Sequence, residues 1–142
     1  AIMEAMVIRV GDGRYALPLL AVNESFRTSL KSITETMDGL EVVKIRDEVL
    51  PVIRLHELFS KNPDSGDLDK GILIIIESRE KQVALFADEI VGQQQAVIKA
   101  LSDYIGKVPG ITGGMILGDG GIGLILDIDS LIEMAETNMV MV

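Results

Sequence analysis

Short apolar runs, rich in Val, Ile and Leu, alternate with polar turn residues along most of the chain, and this pattern predicts an antiparallel β protein. Asp12-Gly13 lies between two such runs, and Asp-Gly in that position is typical of a hairpin turn. Pro18 has no backbone N–H to donate, so its strand is expected to end there or to lie at a sheet edge. Four hairpins are predicted, with strand pairs at Met6–Val10 and Tyr15–Leu19, Glu41–Ile45 and Val49–Ile53, Leu73–Glu77 and Val83–Phe86, and Met115–Leu117 and Ile122–Leu126.

The segments between these hairpins carry weaker patterns. Ser25–Gly39 is polar and is predicted to be a mobile connection. Ser130-Leu-Ile-Glu133 has the spacing of a capping box and predicts a terminal helix that runs to about Glu136. Composition assigns a loop at Ser60–Lys70, an extended stretch at Ala87–Lys99, and single helical turns at Leu55–Phe59 and Leu101–Ile105.

The two halves of the chain share one plan. Val49–Phe59 matches Ile122–Ile132 in apolar spacing at an offset of 73 positions, and Ala16-Leu17 matches Ala84-Leu85 at an offset of 68. A half of about 70 residues is only marginally stable alone. The sequence therefore predicts one all-β domain with short helices over residues 1–142. Two small β-barrel subdomains, at roughly residues 6–59 and 72–132, pack around a shared hydrophobic core, and exchange of strands between them stays open.

Composition narrows the classes of function. The 142 residues include 13 Lys and Arg against 22 Asp and Glu, a net charge of −9, which argues against a nucleic-acid groove and against docking on an anionic membrane. The absence of Cys and the single His exclude disulfides, thiolate zinc sites, cysteine nucleophiles and metal sites that need two imidazoles. The N-terminus lacks a signal peptide, so we expect a cytoplasmic location. The missing initiator Met suggests a piece of a longer protein.

One stretch has the letters of a dinucleotide-binding motif. Gly118-Asp-Gly120-Gly-Ile-Gly123 fits G-x-G-x-x-G, but that motif needs a helix to open within it so that the helix amides meet the pyrophosphate. A β-branched strand follows here instead. A tight hairpin turn explains these glycines, and no cofactor is predicted.

The remaining candidates for chemistry have simpler explanations. Asp127 and Asp129 could hold Mg²⁺, but no further ligand pattern accompanies them, and a helix N-cap explains one of the two better. His56 beside Glu57 could form a base with an orienting carboxylate, yet no nucleophile motif is present. The sequence therefore predicts no catalytic, cofactor or metal residues, and an interaction protein is favoured over an enzyme or a nucleic-acid-binding barrel.

Nearly the whole chain resembles the CheW-like domain family of bacterial chemotaxis. Four segments together carry the resemblance: Arg9–Leu19, Val49–Phe59, Gly92–Lys99, and Gly114–Gly120 with Leu124–Asp127. The resemblance implies two five-stranded, SH3-like barrels packed around a shared core. It also implies binding to the coupling protein CheW, to the cytoplasmic tip of chemoreceptors, and to the catalytic and dimerisation domains of a kinase in the same chain.

Within this family two kinds of protein are candidates. Free coupling proteins carry Asn-Leu-Arg-Gly before the Val49–Ile53 strand, whereas this chain reads Lys44-Ile-Arg-Asp47. The regulatory domain of the chemotaxis histidine kinase is therefore favoured, with the free coupling protein as the alternative. The protein contacts are predicted at Val43, Ile45, Arg46, Asp47 and Glu48 around the second hairpin, and at Gly118, Asp119 and Gly120 in the fourth. A role of Val43 and Ile45 in the barrel core is equally compatible with the sequence.

Overall fold

The computed structural model describes residues 2–27, 33–36, 39–64, 70–99 and 108–140. Strands dominate it, as the alternation of apolar and polar residues predicts. The strands are β1 (Ile2–Val10), β2 (Gly13–Pro18), β3 (Val22–Arg27), β4 (Ile33–Glu35), β5 (Glu41–Ile45), β6 (Glu48–Arg54), β7 (Ile72–Ser78), β8 (Lys81–Ala87), β9 (Glu89–Lys99), β10 (Ile111–Ile116) and β11 (Ile122–Leu126). The helices are α1 (Leu55–Leu58) and α2 (Ile128–Val140), and a 3₁₀ turn spans Leu19–Ala21.

The strands form two sheets that interleave along the sequence. A closed barrel has the order β1-β2-β11-β10-β9, and a six-stranded sheet has the order β3-β7-β8-β6-β5-β4. The first hairpin of the N-terminal half therefore joins the barrel, whose other strands come from the C-terminal half. Conversely, the β7–β8 hairpin comes from the C-terminal half but belongs to the sheet whose other strands come from the N-terminal half. The predicted all-β fold is confirmed, with a sixth strand in one of the two sheets.

The internal repeat appears in the register of the two parallel pairings. Val52 on β6 pairs with Ala84 on β8, and Ile125 on β11 pairs with Ala16 on β2. Val52 and Ile125 are 73 positions apart, and Ala16 and Ala84 are 68 apart. The offsets found in the sequence thus relate equivalent strand pairs of the two sheets.

Most of the buried apolar surface lies between the sheets rather than inside either one. Among the described residues, one cluster joins outward-facing side chains of both sheets to α2, and it includes Ile8, Leu17, Ile76, Leu85 and Leu131. Two smaller clusters fill the interior of the barrel and of the second sheet. Since burial of apolar side chains is the main stabilising contribution to folding, the shared core holds the two sheets together.

A group of hydrogen bonds and ion pairs around Arg9 and Asp88, called the joint below, holds the chain where it passes from the second sheet to the barrel. Asp88, between β8 and β9, has only 3% of its side chain exposed and lies 3.7 Å from Nη1 of Arg9. Its Oδ2 accepts a hydrogen bond from the Gly11 amide at 2.6 Å, and its Oδ1 accepts one from the Asp64 amide at 3.2 Å. Arg9 also pairs with the carboxylates of Asp64 and Glu89. The joint therefore ties β1, the loop after α1 and the start of β9 together.

Two predictions of local structure are corrected. Ser25–Gly39 contains the end of β3 and all of β4, because edge strands with exposed polar side chains carry little apolar pattern. Helix α2 begins at Ile128 and not at Ser130: the Oδ1 of Asp127 accepts the Ser130 amide at 3.2 Å, so Asp127 is the N-cap. The helical turn predicted at Leu101–Ile105 lies outside the described residues.

Candidate functional site

The β5–β6 turn presents an exposed arginine. Ile45 pairs with Glu48 and closes a two-residue turn formed by Arg46 and Asp47. Arg46 has a φ of 57°, which is unusual for a residue with a side chain. Its side chain is 77% exposed, and Nη2 lies 2.9 Å from Oε2 of Glu24 on β3. One nitrogen of the guanidinium is therefore engaged within the chain, while the rest of its donor fork faces solvent.

A pocket of about 290 Å³ opens beside this turn. Its floor is apolar, formed by Ile45 together with the buried side chains of Leu50 and Ile75. Its rim is polar and consists of Glu24, Arg46, Asp47, Glu48 and Gln82. In the described part of the chain, Asp47 and Glu48 have no hydrogen-bond or ion-pair partner. An apolar floor ringed by two unpaired carboxylates suits an aliphatic side chain that has a cation next to it.

The predicted contact residues of this region differ in exposure. Val43 is 0% exposed and belongs to the cluster inside the second sheet, so it supports the site from beneath. Ile45 is partly buried and lines the pocket. Arg46, Asp47 and Glu48 form the rim, and they are the members of the predicted set that a partner protein can reach directly.

The β10–β11 turn is held rigid by contacts with neighbouring strands. Asp119 accepts a hydrogen bond from Nη1 of Arg14 at 2.5 Å and one from the Gly121 amide at 2.9 Å. The hydrogen bond from Arg14 is the main reason that the pKa of Asp119 lies below its ordinary value. The Gly118 amide donates to Oε1 of Gln94 at 2.9 Å. Gly120 has a φ of 88°, a conformation that glycine adopts without strain, so the glycines serve the turn.

The two predicted contact regions lie on different sheets. Residues 43–48 belong to the second sheet, and residues 118–120 connect two strands of the barrel. The pocket beside the β5–β6 turn is lined by residues of the second sheet and by none of Gly118, Asp119 and Gly120.

An apolar row on the outer face of the barrel was not predicted from the sequence. Ile2 pairs with Val97, Val97 with Ile116, and Ile116 with Ile122, so the four side chains stand side by side across β1, β9, β10 and β11. Their exposed fractions are 71%, 48%, 48% and 70%. The alternation of residues along a strand shows which side chains share a face of the sheet. It does not show which part of that face remains exposed to solvent in the folded chain. We call this set the barrel row.

The other residues considered for catalysis or metal binding, Asp129 and His56, make contacts that stabilise the fold. Asp129 accepts a hydrogen bond from Oγ of Ser78 at 2.6 Å, which ties α2 to the β7–β8 turn. His56 is 9% exposed, and its ring packs edge-on against Phe86 at 5.9 Å. Among the residues that the structure describes, no three His, Cys, Asp or Glu side chains are arranged to hold a metal ion. None of the described helices is long and apolar enough to cross a membrane.

Comparison with known proteins gives a consistent result. The family profile of the CheW-like domain matches residues 4–136. The chain is 37% identical over 135 residues to the chemotaxis protein CheA of Treponema pallidum, covering 94% of this chain and 16% of that protein. It is 34% identical over 131 residues to CheA of Klebsiella aerogenes, covering 92% of this chain and 20% of that protein. It is also 34% identical over 137 residues to the sensor histidine kinase CheAY of Helicobacter pylori, covering 96% of this chain and 17% of that protein.

The fold is also found in a solved structure. The scaffolding protein TtCheW of Thermoanaerobacter tengcongensis superposes with a TM-score of 0.72 at 19% identity, over 89% of this chain and 90% of that chain. The chain spans a fifth or less of the length of the curated relatives above, and it matches their non-catalytic region. The match over residues 4–136, together with relatives above 30% identity, shows that the chain belongs to the CheW-like domain family of chemotaxis proteins.

Proposed function

We propose that the chain is the regulatory and scaffolding domain of a chemotaxis histidine kinase and binds a coupling protein of the CheW type. The relatives described above are two CheA proteins and a CheAY sensor histidine kinase, and residues 4–136 of this chain match the CheW-like domain. Phosphotransfer and ATP binding then belong to other domains of the same kinase. The domain described here would link receptor signals to the catalytic activity of those other domains.

The pocket beside the β5–β6 turn is the observation that carries this proposal. A partner that places an aliphatic side chain on the floor formed by Ile45, Leu50 and Ile75 buries apolar area on both sides. Basic groups of the partner would pair with Asp47 and Glu48, and a carboxylate would meet the free fork of Arg46. Such a contact combines an apolar centre with a charged rim, as specific protein interfaces do.

The turn at Gly118, Asp119 and Gly120 is proposed as a second contact with the coupling protein. Its hydrogen bonds to Arg14 and Gln94 hold it in one conformation before binding, which reduces the entropy lost on association. The proposed partners also include the chemoreceptor tip and the kinase's own catalytic and dimerisation domains. The proposed setting is the receptor array on the cytoplasmic side of the membrane.

Signal transmission is proposed to be mechanical. The shared core and the contact between Arg9 and Asp88 pack the two sheets against one another, and we propose that they move together. A displacement applied at the pocket would therefore be carried to the barrel without local unfolding, and receptor signals would change how this body sits against the kinase domain.

The test is a calorimetric titration of this chain with the coupling protein of the same organism. We expect saturable binding with a dissociation constant of about 10 μM or tighter, and a negative heat-capacity change from apolar burial. Arg46→Glu should weaken binding, because it replaces the cation proposed to meet a carboxylate of the partner with a carboxylate, and it leaves Glu24 without its ion-pair partner. Absence of binding by the intact chain would overturn the proposal.

A further inference from the structure

Each strand of the β1–β2 hairpin has its other partner in the C-terminal half of the chain. β1 pairs with β9 from Ile2 to Arg9, and β2 pairs with β11 at Tyr15 and Ala16. The strand that follows the hairpin, β3, pairs with β7 in the second sheet. Within the described residues, the short 3₁₀ turn Leu19–Ala21 therefore connects the hairpin to the second sheet, without any strand pairing between the two.

Few contacts hold this turn in its folded shape. Pro18 before it and Val22 after it are already extended, with φ of −56° and −91° and ψ of 127° and 118°. The Val22 amide donates to the Leu19 carbonyl, and this hydrogen bond closes the turn. Leu20 is fully exposed, and Leu19 and Ala21 are only partly buried against the shared core. Extension of three residues would therefore join β2 and β3 into one continuous strand.

The other passage between the two sheets is held much more firmly. β8 continues into β9 through Asp88, which has only 3% of its side chain exposed and accepts the amides of Gly11 and Asp64. Opening that passage would leave buried polar groups without partners. Of the two passages that the structure describes, the turn at Leu19–Ala21 can open without that cost, and opening it releases the β1–β2 hairpin.

The place that the hairpin fills is chemically specific. Ala5, Val7 and Ala16 are buried inside the barrel, while Ile8 and Leu17, on the opposite face, are buried in the shared core. A hairpin that enters this place must bury both of its faces in the same register. The hairpin of a second copy has the same residues, so in this place it would restore every strand pairing and apolar contact. Only the turn would change shape.

We propose that two copies of the chain swap their β1–β2 hairpins through extension of Leu19–Ala21. The swap is reciprocal, so both places are filled and the dimer is closed, with two-fold symmetry. Within one copy, the turn holds the hairpin near its own place at an effective concentration on the order of 1 mM. Monomers therefore dominate at micromolar concentration, and swapped dimers form when the chain folds near 1 mM. This proposal does not rest on the proposed function, because the partner is the chain itself.

An engineered cysteine pair shows which copy fills each place, because the chain has no cysteine of its own. Glu4 and Gln95 are exposed and lie opposite each other on β1 and β9, at a separation that a disulfide spans. In the variant Glu4→Cys with Gln95→Cys, oxidation links a monomer to itself but links the two chains of a swapped dimer. After refolding and oxidation, non-reducing gel electrophoresis should show about 2% of chains in covalent dimers at about 10 μM and about half at about 1 mM.

A matched pair controls for random oxidation between chains. Val97 and Ile116 lie opposite each other on β9 and β10, which belong to the same copy in the monomer and in the swapped dimer. Val97→Cys with Ile116→Cys should therefore give no covalent dimer at about 1 mM. An equal yield of covalent dimer from both pairs would overturn the proposal.

Deletion of Leu19–Ala21 gives a second, independent test. Without the turn, β2 must run straight on into β3, so the hairpin cannot return to its own barrel and the chain should be a dimer in sedimentation velocity even at about 10 μM. A folded monomer would overturn the proposal. If the deletion variant does not fold, the intact-turn variant Glu4→Cys with Gln95→Cys decides: absence of covalent dimer after refolding at about 1 mM would also overturn it. Neither result depends on whether the coupling protein binds.

Discussion

Arg46 and Glu24 form an ion pair of 2.9 Å between parts of the second sheet that share no backbone pairing in the described residues. Glu24 belongs to β3, an edge of this sheet, and Arg46 belongs to the turn between β5 and β6. The pair closes one side of the pocket. Since the side chain of Arg46 is 77% exposed, the pair contributes little to stability, and its main effect is to orient the free part of the guanidinium.

Arg46→Glu should weaken binding of the coupling protein at least about tenfold while changing the thermal transition little. The substitution places two carboxylates where Arg46 and Glu24 now attract each other, and it removes the only cation that the described residues place on the rim. Titration calorimetry gives the affinity, and differential scanning calorimetry gives the transition.

Arg79→Glu is the matched control for this prediction. Arg79 is also exposed in a two-residue hairpin turn, with a φ of 53° against 57° for Arg46, but it lies in the β7–β8 turn and does not line the pocket. Its reversal should leave binding unchanged. If both variants bind equally weakly, net charge and not the rim controls the affinity. If Arg46→Glu lowers the melting temperature by many degrees, Arg46 is a structural residue.

Asp88→Ala should destabilise the chain by about 2–4 kcal/mol. The buried carboxylate of Asp88 accepts the amides of Gly11 and Asp64 and faces Arg9, so its removal leaves these donors unsatisfied at the passage between the sheets. Urea unfolding measures the change. Glu89→Ala removes an exposed partner of Arg9 and should cost less than about 1 kcal/mol. Equal losses for the two variants would contradict the role given to Asp88.

The ion pair of Asp119 and Arg14 should make the stability of the folded chain depend on pH in the acidic range. The folded-state pKa of Asp119 lies below its ordinary value, chiefly because Arg14 donates to it. Its contribution is therefore fully present above about pH 4 and is lost as the pH falls through the folded-state pKa. Asp119→Asn should lower the melting temperature slightly at pH 7, and the difference from the intact chain should shrink as the pH falls through the folded-state pKa of Asp119. A difference that does not shrink as the pH falls would show that the ion pair is not its source.

Local features of the fold were predictable from the sequence, because each hairpin is specified by neighbouring residues. The first and fourth hairpins both formed as their composition indicated, but the first turn consists of Gly11 and Asp12 and not of Asp12-Gly13, because Gly13 already pairs with Val10 as the first residue of β2. The repeat was also visible, since equivalent strands bury equivalent faces. Val43 could not be assigned from sequence, because alternation in β5 does not tell which face meets the core.

Features that depend on distant pairing were not predictable. Strand β3 pairs with β7 about fifty residues away, and its sequence, with Asn23 and Ser25 outward, has the composition of a loop. The barrel row draws its members from four strands, so no local window contains it. The partner of each hairpin is likewise a long-range property, set by which apolar faces the whole chain can bury together.

The exchange of hairpins between the two sheets predicts that neither half of the chain folds alone. A fragment of residues 1–64 would keep β1 and β2 but lose β9 and β11, with which they pair in the barrel. A fragment of residues 65–142 would keep β7 and β8 but lose β3 and β6. Each fragment would also expose its side of the shared core, so each should lack a cooperative thermal transition and slow amide hydrogen exchange.

An equimolar mixture of the two fragments should recover both properties, because together they restore every strand pairing. The control is the intact chain cut after folding at a protease site placed between residues 64 and 65, which should unfold at the same temperature as the reconstituted mixture. A cooperative transition in either fragment alone would mean that one sheet is stable without the exchanged hairpin. The shared core would then not be what holds the domain together, and the rigid coupling proposed between the pocket and the barrel would lose its physical basis.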